Sequence, residues 1–119
     1  MADKVRLAII GTGGVANGHA QAHSRNSERV EIVALADIVA GKAEAFAERH
    51  GLGGAKLCGD YREVMALDEV DAIDICLPPQ GHAPAALAAL EAGKHVLSEK
   101  PMAMSVDEDM NVFRFKKFF

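Results

Sequence analysis

The fold is decided by one stretch near the start of the chain, Val5-Arg6-Leu7-Ala8-Ile9-Ile10-Gly11-Thr12-Gly13-Gly14-Val15-Ala16. Its first half is apolar and rich in β-branched residues, which predicts a strand buried on both faces of a parallel sheet. Its second half matches the spacing G-x-G-x-x-G/A and leads directly into a helical pattern. Gly11 permits a tight turn, Gly13 lets the backbone approach a ligand, and Ala16 is small enough for close packing of helix on strand. This order of strand, glycines and helix indicates a dinucleotide-binding loop, in which free N–H groups at the helix start face the phosphates.

A second apolar run, Val30 to Ala36, ends at Asp37, about 20 residues beyond the glycines. An acidic side chain at this place accepts hydrogen bonds from the ribose hydroxyls of adenosine, and its charge repels a 2′-phosphate. The next residues, Ile38 and Val39, provide no Arg or Ser to receive such a phosphate. The sequence therefore predicts NAD as the cofactor, with NADP less suitable. Lys42 either softens this preference or lies in solvent, and the second is the commoner situation for a helix lysine.

Strand and helix patterns alternate through the rest of the chain. Strands are predicted at 56–58, 72–77 and 95–98, and helices at 13–27, 40–50, 61–66 and 84–92. Such alternation requires right-handed crossovers and yields an α/β fold with a doubly wound parallel sheet, the Rossmann architecture, with strand order 3-2-1-4-5.

Length and composition exclude several classes of protein. The chain has 119 residues, which fits a single domain, and 13 Lys and Arg against 17 Asp and Glu give a net charge of −4. Such a balance disfavours nucleic-acid binding, which needs a clustered positive surface. The two cysteines, Cys58 and Cys76, lack C-x-x-C spacing and are expected to be buried free thiols in a reducing compartment such as the cytoplasm. No apolar run is long enough to span a membrane.

A metal site is not expected from the sequence. His19 and His23 are separated by one helical turn and could share an ion, but no carboxylate lies at ligand spacing on the same helix face. Helix packing or solvation is the more common role for such a pair.

The segment Ala92-Gly93-Lys94-His95-Val96-Leu97-Ser98-Glu99-Lys100-Pro101 carries the most specific resemblance. Together with the glycines, His19, Asp37 and Pro79-Gln80-Gly81-His82, it resembles the glucose–fructose oxidoreductase, inositol dehydrogenase and rhizopine-catabolism family, often called Gfo/Idh/MocA. The resemblance implies hydride transfer between a nicotinamide cofactor and a sugar or polyol hydroxyl. It also implies that Glu-Lys-Pro lies beside the nicotinamide, that Lys100 assists proton transfer as the catalytic residue, and that Glu99 orients it.

The residues expected to contact NAD(H) come from three parts of the chain: Gly11, Gly13, Gly14 and Val15 of the loop; Asp37 and Ile38; and Leu77, Pro78, Pro79, His82, Glu99 and Lys100 towards the nicotinamide. Pro78, Pro79 and Gln80 are expected to form the floor under the nicotinamide ribose. For His82, a place at a helix start with no chemical role is an equally good interpretation.

Members of the family continue after Glu-Lys-Pro into a larger α/β domain that provides most substrate contacts. Residues 1–119 are expected to form only the NAD(P)-binding domain, with that substrate domain absent and turnover correspondingly slow. The tail, 112–119, is atypical because it concentrates Phe and Lys. A change of reading frame, a junction or an artificial end would each explain it.

Three functions remain open: the cofactor half of an oxidoreductase, a non-catalytic NAD-binding module, or a truncated product without a selected role. An unpaired last strand and the aromatic tail favour a homo-oligomer.

Overall fold

The computed structural model describes residues 4–98, which form a five-stranded parallel sheet flanked by four helices. The elements in chain order are β1 (Val5–Ile10), α1 (Gly14–Arg25), β2 (Val30–Ala36), α2 (Lys42–His50), β3 (Lys56–Cys58), α3 (Tyr61–Met65), β4 (Ala72–Ile75), α4 (Pro79–Glu91) and β5 (His95–Ser98). The strand order β3-β2-β1-β4-β5 and the parallel pairing confirm the predicted doubly wound sheet. Within residues 4–98 no helix is long and apolar enough to cross a membrane.

The largest error of the sequence-based boundaries concerns α4. It was predicted over 84–92 but begins at Pro79, while β4 ends at Ile75 rather than at residue 77. Proline suits the first helical position because its φ is already helical and its missing N–H is not needed there. Pro79 takes that position, and Pro84, the predicted start, lies inside the helix. The other three helices are shorter than predicted, since α1 covers 14–25, α2 covers 42–50 and α3 covers 61–65, whereas α4 is longer.

The two faces of the sheet bury two separate apolar layers. On one face, Ile9 and Leu35 pack with small residues of α1 and with Phe46 of α2. On the other face, the alternate strand residues Ile10, Ile73 and Ile75 pack against a row of alanines of α4. Successive side chains of a strand point to opposite faces, so this alternation follows from the strand geometry. Because helices cover both faces of the sheet, the central strands are almost continuously apolar.

Candidate cofactor site

A cavity of about 720 Å³ opens at the carboxyl ends of β1, β2 and β4. In open α/β sheets, ligands bind in the crevice outside the carboxyl ends of the strands, where the strand order reverses. The described residues expected to contact the cofactor all line this one cavity: Gly11, Gly13, Gly14, Val15, Asp37, Ile38, Leu77, Pro78, Pro79 and His82. The remaining two, Glu99 and Lys100, lie outside the described residues, as does the tail.

Gly11 is required by the backbone at the floor of the cavity. Its φ is +88°, and a Cβ at this position would lie 2.8 Å from the carbonyl oxygen of Cys76. Its N–H donates to the carbonyl of Ala36, 2.8 Å away. A side chain here would therefore be strained in conformation and would also collide with the end of β4.

The start of α1 is left open towards the cavity. A Cβ built on Gly13 or Gly14 would meet no described atom within 4 Å. No side chain caps this helix start, and its first turn has no acidic residue. The helix therefore presents uncapped N–H groups and the positive end of its dipole to open space, the arrangement that binds phosphate.

Asp37 is held in place by the glycine loop. Its Oδ2 accepts hydrogen bonds from the backbone N–H of Thr12 at 2.9 Å and from the Thr12 hydroxyl at 2.6 Å, while Oδ1 accepts from the N–H of Val39 at 2.9 Å. Partial burial raises the pKa of Asp37, but these hydrogen bonds and the nearby Lys42 outweigh it and leave the pKa below its usual value. The carboxylate is therefore charged and fixed at the edge of the cavity.

The turn between β4 and α4 closes the other side of the cavity. The Nε2–H group of His82 donates to the carbonyl of Leu77, and the ring is only 3 % exposed. A Cβ on Gly81 would lie 3.1 Å from the Leu77 side chain, so the turn is tightly packed. His82 thus lies in the first turn of α4, where its hydrogen bond maintains the shape of the wall formed by Pro78 and Pro79.

The residues that line the cavity also include Thr12, Tyr61 and Cys76, which the sequence did not single out as cofactor contacts. A hydroxyl at the variable position of G-x-G, with an aspartate ending the next strand, is the signal that could have indicated Thr12. Tyr61 follows a short third strand and gave no comparable signal. Cys76 was expected to be buried but is only partly so, because it lies where β4 meets the cavity. Cys58 is buried, and neither cysteine forms a disulfide within the described chain.

Comparison with protein families matches residues 5–117 to the Gfo/Idh/MocA model, described as an oxidoreductase family with an NAD-binding Rossmann fold. Among curated proteins, an uncharacterised oxidoreductase of Rhizobium meliloti is 42% identical over 106 residues, which are 89% of this chain and 31% of that protein. Inositol 2-dehydrogenase of Salmonella typhimurium is 32% identical over 108 residues, 91% of this chain and 32% of the relative. The chain thus spans about a third of the length of these relatives.

Solved structures give the same grouping. The WlbA dehydrogenase of Chromobacterium violaceum, solved with NADH and UDP-GlcNAcA, superposes with a TM-score of 0.87 at 28% identity, covering 99% of this chain and 34% of that one. The 3-ketoreductase KijD10 of Actinomadura kijaniata, solved with NADP, superposes with a TM-score of 0.84 at 29% identity, covering 98% of this chain and 36% of that one. Both nicotinamide cofactors therefore occur among the structural neighbours.

Proposed function

The chain belongs to the Gfo/Idh/MocA oxidoreductase family, and from that premise we propose that it binds NAD(H) as the cofactor domain of a sugar or polyol dehydrogenase. The observation that carries this proposal is the cavity at the carboxyl ends of the parallel strands. It places a fixed carboxylate, an uncapped helix start and an apolar wall in the order in which a dinucleotide presents its adenosine ribose, diphosphate and nicotinamide.

The diphosphate is assigned to the start of α1. The open space above Gly13 and Gly14 admits phosphate oxygens close to the backbone, and the N–H groups there have no competing side chain. An acidic residue in the first turn would repel a diphosphate, and the helix has none.

The adenosine ribose is assigned to Asp37. A carboxylate has about four lone-pair positions, and three are occupied by Thr12 and Val39. The fourth, on Oδ1, remains for a ribose hydroxyl. A 2′-phosphate in the same place would meet a negative charge that the loop holds still, which supports NAD over NADP. Beside Asp37, the Ile38 side chain is 84% exposed and offers an apolar surface to the adenine.

The nicotinamide is assigned to the wall formed by Leu77, Pro78, Pro79 and His82. When bound, the nicotinamide ring accepts or releases the hydride, and the protein has to position it and move the accompanying proton. By family resemblance, Lys100 holds the substrate hydroxyl and exchanges that proton, with Glu99 beside it. A sugar or polyol substrate is supported by two similar proteins, one named inositol 2-dehydrogenase and the other a dehydrogenase solved with UDP-GlcNAcA.

The proposal extends to the organisation of the protein. Residues 1–119 are assigned to one NAD(P)-binding domain, and substrate contacts come from a second domain or subunit. Because β5 forms the edge of the described sheet, we expect a homo-oligomer formed through that edge. Two cysteines without a disulfide between them agree with a reducing, cytoplasmic location. Sedimentation at micromolar concentration measures the oligomeric state, and a stable monomer would contradict that part.

Cofactor binding is tested by titrating NADH and NADPH while their fluorescence is followed. NADH should bind at least about tenfold more tightly than NADPH. Asp37→Ala should lower the affinity for NADH by about tenfold or more, as expected for one lost charged hydrogen bond. Thr12→Val retains the carboxylate but removes its hydroxyl donor, so a smaller loss is expected. Asp68→Ala removes an equal charge from an exposed position outside the cavity and serves as the control.

Equal affinity for the two cofactors, or an Asp37→Ala protein that binds NADH normally, would overturn the NAD assignment. Turnover is tested separately with a panel of inositols, aldoses and their phosphates. Loss of NADH formation in Lys100→Ala, but not in Lys56→Ala at an exposed strand position, supports the dehydrogenase. Cofactor binding without turnover on any of them supports a non-catalytic binding module instead.

A further inference from the structure

Two histidines of α1 and one aspartate of β4 meet between the helix and the sheet. Nδ1 of His19 lies 2.8 Å from Oδ2 of Asp74, and Nε2 of His23 lies 2.7 Å from the same oxygen. The two imidazole rings are one helical turn apart, with centroids separated by 6.5 Å and planes at 73°. The carboxylate that the helix face lacks in sequence is therefore supplied by the sheet.

The surroundings of Asp74 make this an unusual place for a carboxylate. Asp74 is 0% exposed, and it faces the layer formed by Ile9, Leu35 and the alanines of α1. A buried charge among apolar side chains is costly unless ionic or metal partners compensate it. The thiol of Cys76, 3.7 Å from Oδ1, completes the polar contacts found for Asp74 within the described chain.

The geometry points to a binding site for a divalent first-row transition ion of the zinc type, with His19, His23 and Asp74 as its three protein ligands. One ligand atom from each lies within 4.8 Å of those of the other two. Two imidazole nitrogens and one carboxylate oxygen form a ligand set that such ions favour, with water filling a fourth position. This assignment does not depend on the proposed dehydrogenase function.

The three groups need only a small adjustment to hold an ion. In a tetrahedral zinc site with bonds near 2.0–2.1 Å, ligand atoms are about 3.4 Å apart. The present nitrogen–oxygen separations are 2.8 and 2.7 Å, so the side chains must separate by about 0.6 Å. The hydrogens that now lie between nitrogen and oxygen must also leave, either to the other ring nitrogen or to solvent. Binding should consequently weaken as the pH falls.

An ion can reach the site from the surface. The side chains of His19 and His23 are 15% and 14% exposed. His23 also lines a cavity of about 640 Å³ beside β2, at the end of the sheet away from the glycine loop. Once bound, the ion would fasten α1, which begins at the glycine loop, to the central strand β4.

The experiment uses the full chain, stripped of metal with a chelator, and titrates it with Zn²⁺ by calorimetry and with Co²⁺ by visible absorption. One ion should bind per chain with a micromolar or tighter Kd, and Zn²⁺ should raise the Tm because it binds only the folded protein. His23→Gln and Asp74→Asn should each lower the affinity for Zn²⁺ by at least tenfold and abolish the Tm increase. Affinity should be lower at about pH 6 than at about pH 8.

His95→Gln provides the matched control. His95 begins β5 and is not one of the three proposed ligands, so this variant should bind Zn²⁺ with the same affinity as the wild type. Asp74→Asn leaves a buried amide and could fail to fold. His19→Gln and His23→Gln, on partly exposed side chains, keep the test decisive in that event. Binding of less than one ion per chain, or binding that survives all the ligand substitutions, would show that the cluster is only a hydrogen-bonded network and would overturn the assignment.

Discussion

The two ends of the parallel sheet both carry polar groups and an open cavity, but they use them differently. At the carboxyl end, the cavity of about 720 Å³ is bordered by uncapped helix N–H groups and by a carboxylate with one lone pair to spare. At the amino end, a cavity of about 570 Å³ is bordered by Asp71 and Lys94, whose polar atoms are directed at other parts of the fold. Asp71 accepts from both the backbone and the guanidinium of Arg6. Lys94 donates to the carbonyls of Leu67 and Val70.

This contrast separates the proposed binding surface at the carboxyl end from a structural one at the amino end. The polar side chains at the amino end form hydrogen bonds that join the loop before β4 to β1 and β5. Substitutions there should therefore change the free energy of unfolding without changing cofactor affinity. At the carboxyl end, the uncapped N–H groups of α1 and one lone pair of Asp37 face the open cavity. Substitutions there should affect binding, and they should affect stability only where the backbone itself is constrained.

Gly11→Ala is expected to have the largest effect, because Gly11 both lines the proposed cofactor cavity and has a constrained backbone. A residue with a side chain at φ +88° costs about 1–2 kcal/mol. The collision of its Cβ with the Cys76 carbonyl adds about 1–3 kcal/mol of overpacking. We therefore expect a loss of about 2–5 kcal/mol in the free energy of unfolding, measured by urea titration, together with loss of NADH binding.

Gly18→Ala is the matched control for that substitution. Gly18 lies in the middle of α1, has no positive φ, and has open space where a Cβ would be. Alanine there should stabilise the protein by about 0.5–1 kcal/mol. If both variants unfolded at the same urea concentration as the wild type, the close approach of Gly11 to β4 would not be a constraint on the fold.

Local patterns were sufficient to predict the sheet. The strand order and the cavity follow from the alternation of short apolar runs with helices and from Gly11 and Asp37 at the ends of the first two strands. The start of α4 was misplaced because Pro79 and Pro84 both suit a first helical position. Only the packing of His82 and Gly81 on Leu77 shows that the earlier proline is used.

Contacts between residues distant in sequence were not predictable. The spacing of His19 and His23 indicates partners only on their own helix, but Asp74 is brought to them by the pairing of β4 with β1. In the same way, the carbonyls that Lys94 meets belong to a loop 24 and 27 residues earlier. Such contacts depend on the three-dimensional arrangement of elements and leave no local periodicity in the sequence.

Lys94→Met is expected to have an intermediate effect and sharpens the contrast between the two ends. Methionine retains much of the stem but removes the ammonium group that donates to two carbonyls at 2.7 and 2.8 Å from an 8% exposed position. Leaving those acceptors without their donor should cost about 1–3 kcal/mol. NADH affinity should not change. Lys56→Met, at an exposed position of β3, should remain within about 0.5 kcal/mol of the wild type, and an equal loss in both variants would contradict a specific role for Lys94.

Asp71→Asn is expected to have the smallest effect, and its pH dependence identifies the cause. The Arg6 guanidinium holds the pKa of the Asp71 carboxyl below its usual value, outweighing partial burial. A lowered pKa in the folded state stabilises the protein above the unfolded pKa, and that contribution disappears as the pH falls through the folded value. The side chains of Arg6 and Asp71 are 45% and 38% exposed, so solvent limits the pair to about 0.2–1 kcal/mol at pH 7. Urea titrations should therefore show the variant slightly less stable than the wild type at neutral pH, with a difference that shrinks as the pH falls through the folded-state pKa and that is smaller in high salt. A difference that persisted unchanged in strong acid would mean that Asp71 acts through packing rather than through its charge.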